Sequence, residues 1–193
     1  KRPRARTGPV VASGAMHRGV QDFVKLVQAS AEALGIQVQG PASNADLAHI
    51  EHQIGSSLPE DLRLILLKFN GLTLPSGTLL GIGSQVGSTI EAAMKEIAER
   101  TGESVLDPEL LLPFHRSDES LLAFDRSAGP VADTWPIVDF FSDTGEVRLV
   151  HRTFDGWCRM CVAQWTSPDW GQDFTLDIYL RNGQRHVSIE PDV

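Results

Sequence analysis

The sequence predicts an α+β protein made of a single domain. Helix-like segments fill the first third of the chain, strand-like segments dominate the middle, and regular alternation of strand, helix and strand is lacking. This order favours N-terminal helices packed on a mostly antiparallel sheet. The 193 residues are 41% hydrophobic and 22% charged, which suits one well-formed core and leaves little room for two full domains. We therefore predict one soluble domain over residues 17–193.

The first helix is predicted over residues 17–34, because apolar side chains recur there every three or four residues and Gly35 follows. A short extended piece, Ile36–Gln39, comes next. A second helix then begins at a cap supplied by Ser43 or Asn44 and carries three apolar residues on one face. Those residues are Leu47, Ile50 and Ile54.

The stretch Ile50–Gly71 contains the clearest helix boundaries in the chain. The second helix stops at Gly55, and Leu58-Pro59-Glu60-Asp61 then begins a third, with proline in the first turn and acids at the positive end of the helix dipole. Asn70-Gly71 ends this helix, because both residues tolerate the left-handed conformation. The helix buries one apolar stripe. Its members are Leu62, Ile65, Leu66 and Phe69.

Beyond Gly71 the apolar pattern changes to that of strands, interrupted by two helices. A strand is expected around residues 79–82, a helix over Thr89–Arg100 and, after a cap at Thr153, a helix over Phe154–Trp165. The turn residues 142–145 favour an antiparallel hairpin between the last two central strands. The four central strands are predicted over Leu111–His115, Ser120–Asp125, Trp135–Phe141 and Glu146–His151.

The C-terminal extension, residues 166–193, fits two structures. Apolar residues alternate along residues 174–180 and again at Val187 and Ile189, and Asn182-Gly183 lies between, which favours a terminal hairpin. A helix capped by Ser167, with Pro168 in its first turn, is the alternative.

Charge is distributed unevenly. Residues 1–16 contain Lys1, Arg2, Arg4 and Arg6 and no acid, so removing this +4 from the net charge of −8 leaves −12 on residues 17–193. We interpret residues 1–16 as a disordered basic tail or a remnant of cloning. The acidic body repels nucleic acid and attracts basic partners, so we expect no nucleic-acid role.

The apolar segments and the cysteines of the sequence predict its compartment and its use of cofactors. No apolar run approaches the roughly 20 residues needed to cross a bilayer, and the N-terminus lacks the apolar segment of a signal peptide, which predicts a cytoplasmic protein without a membrane partner. The only cysteines, Cys158 and Cys161, form a single C-x-x-C inside an apolar helix, and core packing explains them better than redox chemistry. We predict no cofactor.

Three other patterns imitate chemical sites. The loop Gly81–Gly87 follows a strand and precedes a helix, as a phosphate-binding loop would, yet no regular βαβ unit follows, so a flexible turn is favoured. Asp143-Thr144-Gly145 resembles the aspartic-protease triplet but occurs once and suits a hairpin turn better. His49 and His52 lack the third ligand of a zinc site, so we predict exposed histidines, no metal and no catalytic residues.

The stretch Ile50–Gly71 combines a helix, the sequence L-P-E-D-L-R, an apolar helix and N-G. This combination resembles the opening motif of the SMI1/KNR4 superfamily, also called SUKH. The motif residues are Glu51, Gly55, Leu58, Pro59, Asp61, Leu62, Arg63, Asn70 and Gly71. Later segments are similar to the family's more weakly, namely Leu121–Asp125, Pro136–Val138 and Thr153–Trp157. The resemblance spans roughly residues 44–165. Leu62 replaces the usual aromatic, and Gly129 stands later than the family glycine, which leaves the subfamily open.

The resemblance implies a protein-binding module without enzymatic activity. Bacterial members are chiefly immunity proteins that neutralise polymorphic or contact-dependent toxins by direct binding, and the acidic charge fits a basic toxin domain. A cytoplasmic scaffold or regulator of the same type is the alternative, and a small nucleotide-binding enzyme ranks third. Tryptophans are candidate anchors because they supply much interface energy. The predicted partner-binding residues are Asp125, Asp133, Trp135, Asp139, Asp143 and Glu146.

Overall fold

A computed structural model describes residues 16–83, 88–100, 107–128, 135–166, 174–181 and 184–191 of the chain. Within these ranges the chain forms five α-helices and nine strands, which confirms the α+β prediction. The helices are α1 (Arg18–Ser30), α2 (Asn44–Ile54), α3 (Glu60–Leu66), α4 (Ile90–Arg100) and α5 (Phe154–Thr166). The strands are β1 (Gln37–Val38), β2 (Leu72–Leu74), β3 (Gly77–Leu79), β4 (Leu111–Arg116), β5 (Ser120–Asp125), β6 (Ile137–Phe141), β7 (Val147–His151), β8 (Phe174–Arg181) and β9 (Gln184–Pro191).

Strands β1 to β7 form one antiparallel sheet in which each strand pairs with the next along the chain. Strands β8 and β9 pair separately, from Phe174 opposite Pro191 to Arg181 opposite Gln184. The described part of the C-terminal extension therefore forms the predicted hairpin. Ser167 and Pro168, the start of the alternative helix, lie outside the described residues. Nearly all of the predicted tail, residues 1–15, lies outside the described residues.

The helix boundaries follow the predicted capping chemistry. Ser43 caps α2: its hydroxyl accepts a hydrogen bond from the Asp46 backbone N–H, while the Asp46 carboxylate accepts one from the Ser43 backbone. Gly55 ends the helix in the left-handed conformation, with φ of 67°. Pro59 stands at the N-cap of α3, one position before the predicted first turn. Thr153 begins α5, where its hydroxyl accepts from the Gly156 backbone N–H.

The prediction missed β2 and placed one strand too late. Strand β2 directly follows Gly71 and has only three residues, so its pattern is too short to detect. The strand expected around residues 79–82 is β3, which ends at Leu79, and Gly81 then bridges to Thr89. Helix α1 likewise ends at Ser30 rather than residue 34, because the chain continues as turns to Gly35.

Helices α5 and α4 cover opposite faces of the sheet. His115 of β4 contacts Trp157 of α5, whereas the next residue, Arg116, pairs with Glu96 of α4, and successive strand residues point to opposite faces. Trp157 is 1% exposed and packs at the centre of an aromatic cluster, so it is core and not an interface anchor. The cluster comprises Phe23, Phe114, Phe124, Phe154 and Trp157.

Candidate functional site

Two acids of the Ile50–Gly71 stretch hold the scaffold together. A carboxylate oxygen of Glu51 accepts a hydrogen bond from the Leu58 backbone N–H at 3.1 Å and lies 3.7 Å from Arg63. Asp61, which is 8% exposed, accepts from the backbone N–H of His17 at 3.2 Å and lies 2.6 Å from its Nδ1. These contacts fix the start of α1 and the junction between α2 and α3. Both side chains are therefore engaged inside the domain.

Asn70 does not end α3 as predicted, because the helix stops at Leu66 with Leu67 as its C-cap; instead, the Asn70 amide holds the glycine-containing loop before α4. Its Oδ1 accepts from the Ile82 backbone N–H at 2.7 Å, and its Nδ2 donates to the Ile82 carbonyl at 2.9 Å. A carboxylate oxygen of Glu91, in the first turn of α4, accepts from the Gly83 backbone N–H at 3.3 Å. A negative side chain thus occupies the helix end where a phosphate would bind. Residues 84–87 of the loop lie outside the described ranges.

Asp125 and Trp135 lie together at one end of the central strands. Asp125 is 6% exposed, and its Oδ1 accepts from the backbone N–H of Ser127 at 2.9 Å and from the Ser127 hydroxyl at 2.5 Å. Trp135 is half-buried, and its ring centroid lies 6.4 Å from that of Phe124. Both side chains face internal partners, so their binding role stays a prediction. Asp133 lies outside the described residues.

Arg126 is a clamp that the sequence did not signal. One guanidinium nitrogen donates to the Ile54 carbonyl at 2.8 Å and to the Ser56 hydroxyl at 3.2 Å, and the other donates to the Glu109 carbonyl. Burial lowers the pKa of Arg126, and the charges of Asp107 and Glu109 oppose this. The side chain ties the end of α2 to the end of β5, in the segment that departs from the family pattern.

Asp143 and Glu146 belong to the opposite end of the strands, whereas Asp139 pairs with Leu122 in the middle of β5 and lies on the other face of the sheet from Asp125. Ile137 pairs with Phe124, next to Asp125, whereas Phe141 pairs with Ser120, which lies five residues before Asp125 along β5. At about 3.3 Å per residue, the two ends are separated by roughly 17 Å. The predicted residues therefore divide into two groups and do not form one site.

An open groove of about 660 Å³ lies at the Phe141 end of the strands. It runs between the β2–β3 turn and the β4–β5 turn, and its floor includes Asp139 and Phe141. Among the described residues, three acids and no lysine or arginine line it. The lining residues are Thr73, Leu74, Pro75, Ser76, Gly77, Thr78, Ser117, Asp118, Glu119, Ser120, Asp139 and Phe141.

The sequence analysis missed Asp118 and Glu119, both of which are exposed. The signal was available, because Ser117-Asp118-Glu119-Ser120 is a polar run between two predicted strands and marks a turn. Hydrogen bonds hold that turn in shape. The Ser117 backbone N–H donates to the Ser120 carbonyl at 2.9 Å, and the two serine hydroxyls are 3.0 Å apart.

Asp139 is the unusual carboxylate of the groove. Its Oδ1 is buried and has no hydrogen-bond partner among the residues that the structure describes. Burial raises the pKa of Asp139, while the Ser120 hydroxyl and the charge of Arg148 act in the opposite direction. The position therefore favours either a proton or a nearby positive charge.

Arg148 lies across the strand from Asp139 but is engaged by other groups. Its Nη2 lies 2.8 Å from a Glu146 carboxylate oxygen, and its Cζ lies 4.5 Å from the centroid of the Phe141 ring. The hydrogen bond with Arg148 lowers the pKa of Glu146. Glu146 and Arg148 thus neutralise each other in part, whereas Asp143 is exposed in the hairpin turn.

The structure buries His115 and His151. Burial lowers the pKa of each to about 4, so both rings are neutral at physiological pH. His115 is 3% exposed, and neither ring nitrogen has a hydrogen-bond partner within the described residues. Its Cε1 lies 3.0 Å from the position that a Cβ on Gly77 would occupy, so the nitrogen-bearing edge of the ring abuts the groove wall.

Within the described residues, the remaining candidate sites show no catalytic or metal-binding arrangement. Cys158 and Cys161 are buried, and burial raises the pKa of both thiols, which keeps them protonated and unreactive. His49 and His52 are exposed on α2. Across the described ranges, no three metal-binding side chains come together, and no helix has the length and hydrophobicity needed to traverse a bilayer.

The chain is similar to a known protein family. No curated protein matches the chain. The family model of the SMI1 / KNR4 family (SUKH-1) matches residues 41–160, which is more than half of the chain and close to the span of the resemblance noted in the sequence. That span includes the L-P-E-D-L-R motif, the groove and most of α5. The chain belongs to the SMI1/KNR4 (SUKH-1) family.

Proposed function

We propose that this protein is a cytoplasmic immunity protein that neutralises a bacterial toxin domain by binding it directly, without catalysis. The observation that carries the proposal is the acidic groove, where Asp118, Glu119 and Asp139 line a concave surface free of lysine and arginine. Toxins that act on nucleic acid carry basic surfaces because they must approach phosphate. A concave acidic surface complements such a domain in charge.

Electrostatics make this surface suitable for fast capture. Residues 17–193 carry a net charge of −12, so a basic domain is attracted over several ångströms before contact. Asp143 and Glu146 extend the acidic surface along the neighbouring hairpin, although Arg100 and Arg148 offset part of their charge. Asp125 and Trp135 lie at the other end of the strands, so we leave them out of the proposed contact surface.

Coexpression with the product of the neighbouring toxin gene tests the proposal. We expect the protein to restore growth and to copurify with the toxin in stoichiometric amounts. Replacing Asp118→Asn together with Glu119→Gln removes two exposed charges from the groove and should slow association about tenfold at low salt. The charge-matched control, Asp22→Asn with Glu32→Gln on and after α1, should leave association unchanged.

Two results would overturn the proposal. If the protein neither rescues growth nor copurifies with the neighbouring toxin, it is not that toxin's immunity protein. If both double variants slow association equally, overall charge rather than the groove attracts the toxin. Measuring association at two salt concentrations separates these contributions, because screening weakens long-range attraction between exposed charges.

A further inference from the structure

The groove has the chemistry of a receptor for one positively charged side chain. Its rim is firm, because the β4–β5 turn is held by the Ser117–Ser120 hydrogen bonds and the Glu119 carbonyl accepts from the Ser142 backbone N–H at 3.4 Å. Its volume of about 660 Å³ exceeds what one side chain fills. Part of the partner's backbone therefore fits in the groove as well.

Two buried polar groups lack partners in the described part of the chain, one on a residue of the groove lining and one behind Gly77. The first is Oδ1 of Asp139, and the second is the imidazole of His115. Strand pairing places His115 opposite Leu122 and Leu122 opposite Asp139, so all three share one face of the sheet. At about 4.8 Å per strand, His115 and Asp139 are about 10 Å apart across that row. The ionised carboxylate only accepts hydrogen bonds, whereas the neutral imidazole has one N–H that donates and one ring nitrogen that accepts.

The same row already holds a guanidinium. Arg148, opposite Asp139 on β7, lies over the Phe141 ring and is 2.8 Å from a Glu146 oxygen. Phe141 lines the groove, so the groove offers both an aromatic ring and carboxylates to a second guanidinium, supplied by a partner. Arginine suits such a setting better than lysine, since its planar fork binds carboxylates with two parallel hydrogen bonds and stacks on aromatic rings.

We propose that the groove receives an arginine side chain of the partner protein, with Asp139 as its main carboxylate and Asp118 and Glu119 at the rim. The identification of the partner as a toxin rests on the proposed function, but the chemistry of the groove does not. The carboxylate of Asp139 belongs to the groove lining and is largely shielded from water, so an ion pair there gives more specificity than a solvent-exposed one.

Titration with small probes tests the groove without any toxin. The probes are N-acetyl-arginine amide, N-acetyl-lysine amide and the uncharged isostere N-acetyl-citrulline amide, added to the ¹⁵N-labelled full chain. We expect the arginine probe to shift the backbone amide signals of Gly77, Ser117, Ser120 and Phe141, at least threefold more strongly than the lysine probe. Citrulline should cause no shift, because it lacks the positive charge.

Asp139→Asn is the most informative variant, because it removes the negative charge while keeping the shape of the side chain. It also removes the cost of burying a carboxylate, so the fold should be retained. We expect it to weaken binding of the arginine probe at least tenfold, whereas Asp22→Asn, a charge change on α1, should have no effect. Equal binding to Asp139→Asn and wild type, or equal shifts from arginine and citrulline, would overturn the inference. Equal shifts from lysine and arginine would refute the selectivity for arginine.

Failure of this inference can be distinguished from failure of the proposed function. If a toxin copurifies with unchanged affinity for Asp139→Asn and the arginine probe causes no shift, the immunity role stands and the groove assignment is wrong. If the arginine probe binds through Asp139 while no neighbouring toxin is captured, the groove assignment stands and the immunity role is wrong.

Discussion

The carboxylate of Asp61 accepts a hydrogen bond from the backbone N–H of His17 and lies 2.6 Å from the Nδ1 of the same residue, 44 positions earlier in the chain. One side chain therefore joins the start of α1 to the start of α3. Because Asp61 belongs to the family motif while α1 precedes the matched residues, this contact connects the family core to the segment before it.

Asp61→Ala should destabilise the protein by about 1–3 kcal/mol, because it leaves a partly buried backbone N–H and an imidazole without their acceptor. Urea denaturation followed by circular dichroism measures the change. The adjacent exposed acid gives a matched control, since Glu60→Gln should change stability by less than about 0.5 kcal/mol. Equal effects of the two substitutions would contradict the role assigned to Asp61.

Gly19→Ala should destabilise the protein, although alanine is the better helix former by about 1 kcal/mol. A Cβ at Gly19 would lie 2.6 Å from Cγ of Arg159 and 2.7 Å from the backbone oxygen of Asp155, so α1 would have to move away from α5. We expect a net loss of about 1–3 kcal/mol by thermal denaturation. Gly40→Ala, where a Cβ meets nothing within 4 Å, should be neutral or stabilising.

Asp139→Asn should raise the free energy of unfolding at pH 7. The folded-state pKa of Asp139 is raised by burial, so the folded protein holds this proton more tightly than the unfolded chain does. Ionisation therefore reduces stability as pH rises from the unfolded-state pKa through the folded-state pKa. The stabilising effect of the substitution should vanish at a pH below the ordinary pKa of aspartate, which denaturation at pH 3 and pH 7 would check. An effect that persists unchanged at pH 3 would show that charge is not its cause.

Acid should destabilise the fold through His115 and His151. The pKa of each is lowered from 6.5 to about 4, so the unfolded chain binds these protons first as pH falls. The stabilisation from keeping the rings neutral is complete above pH 6.5 and is lost between pH 6.5 and 4, by up to roughly 3 kcal/mol per histidine. His115→Leu should about halve the fall in stability between pH 6.5 and 4.5, while His49→Gln on exposed α2 should leave it unchanged.

Local chemistry made much of the fold predictable from sequence. Capping at Ser43 and Thr153 and the left-handed stop at Gly55 depend on neighbouring residues, and the structure confirms them. The missed strand β2 has a different cause. Its three residues become a strand only by pairing with β1 and β3, which is a long-range effect that no short pattern records.

The candidate site was harder to predict because it depends on register. Asp125 and Asp139 are both acids of neighbouring strands, yet antiparallel pairing puts Asp139 opposite Leu122, three residues from Asp125, and therefore on the other face of the sheet. Asp118 joins Asp139 only because the β4–β5 turn lies beside the end of β6. Such neighbours are set by topology, so composition predicted an acidic surface without predicting which acids form it.

The position of α1 has a consequence for where this domain can be cut. The family match begins at residue 41 and ends at residue 160, so a fragment with those limits lacks α1 and loses the last turns of α5. Phe23 of α1 covers Trp157, with ring centroids 5.8 Å apart, and Trp165 of α5 covers Phe23 in turn. Truncation would remove Phe23 and Trp165, expose the ring of Trp157 to water and favour aggregation. The smallest unit that can stand alone extends beyond the homologous span at both ends.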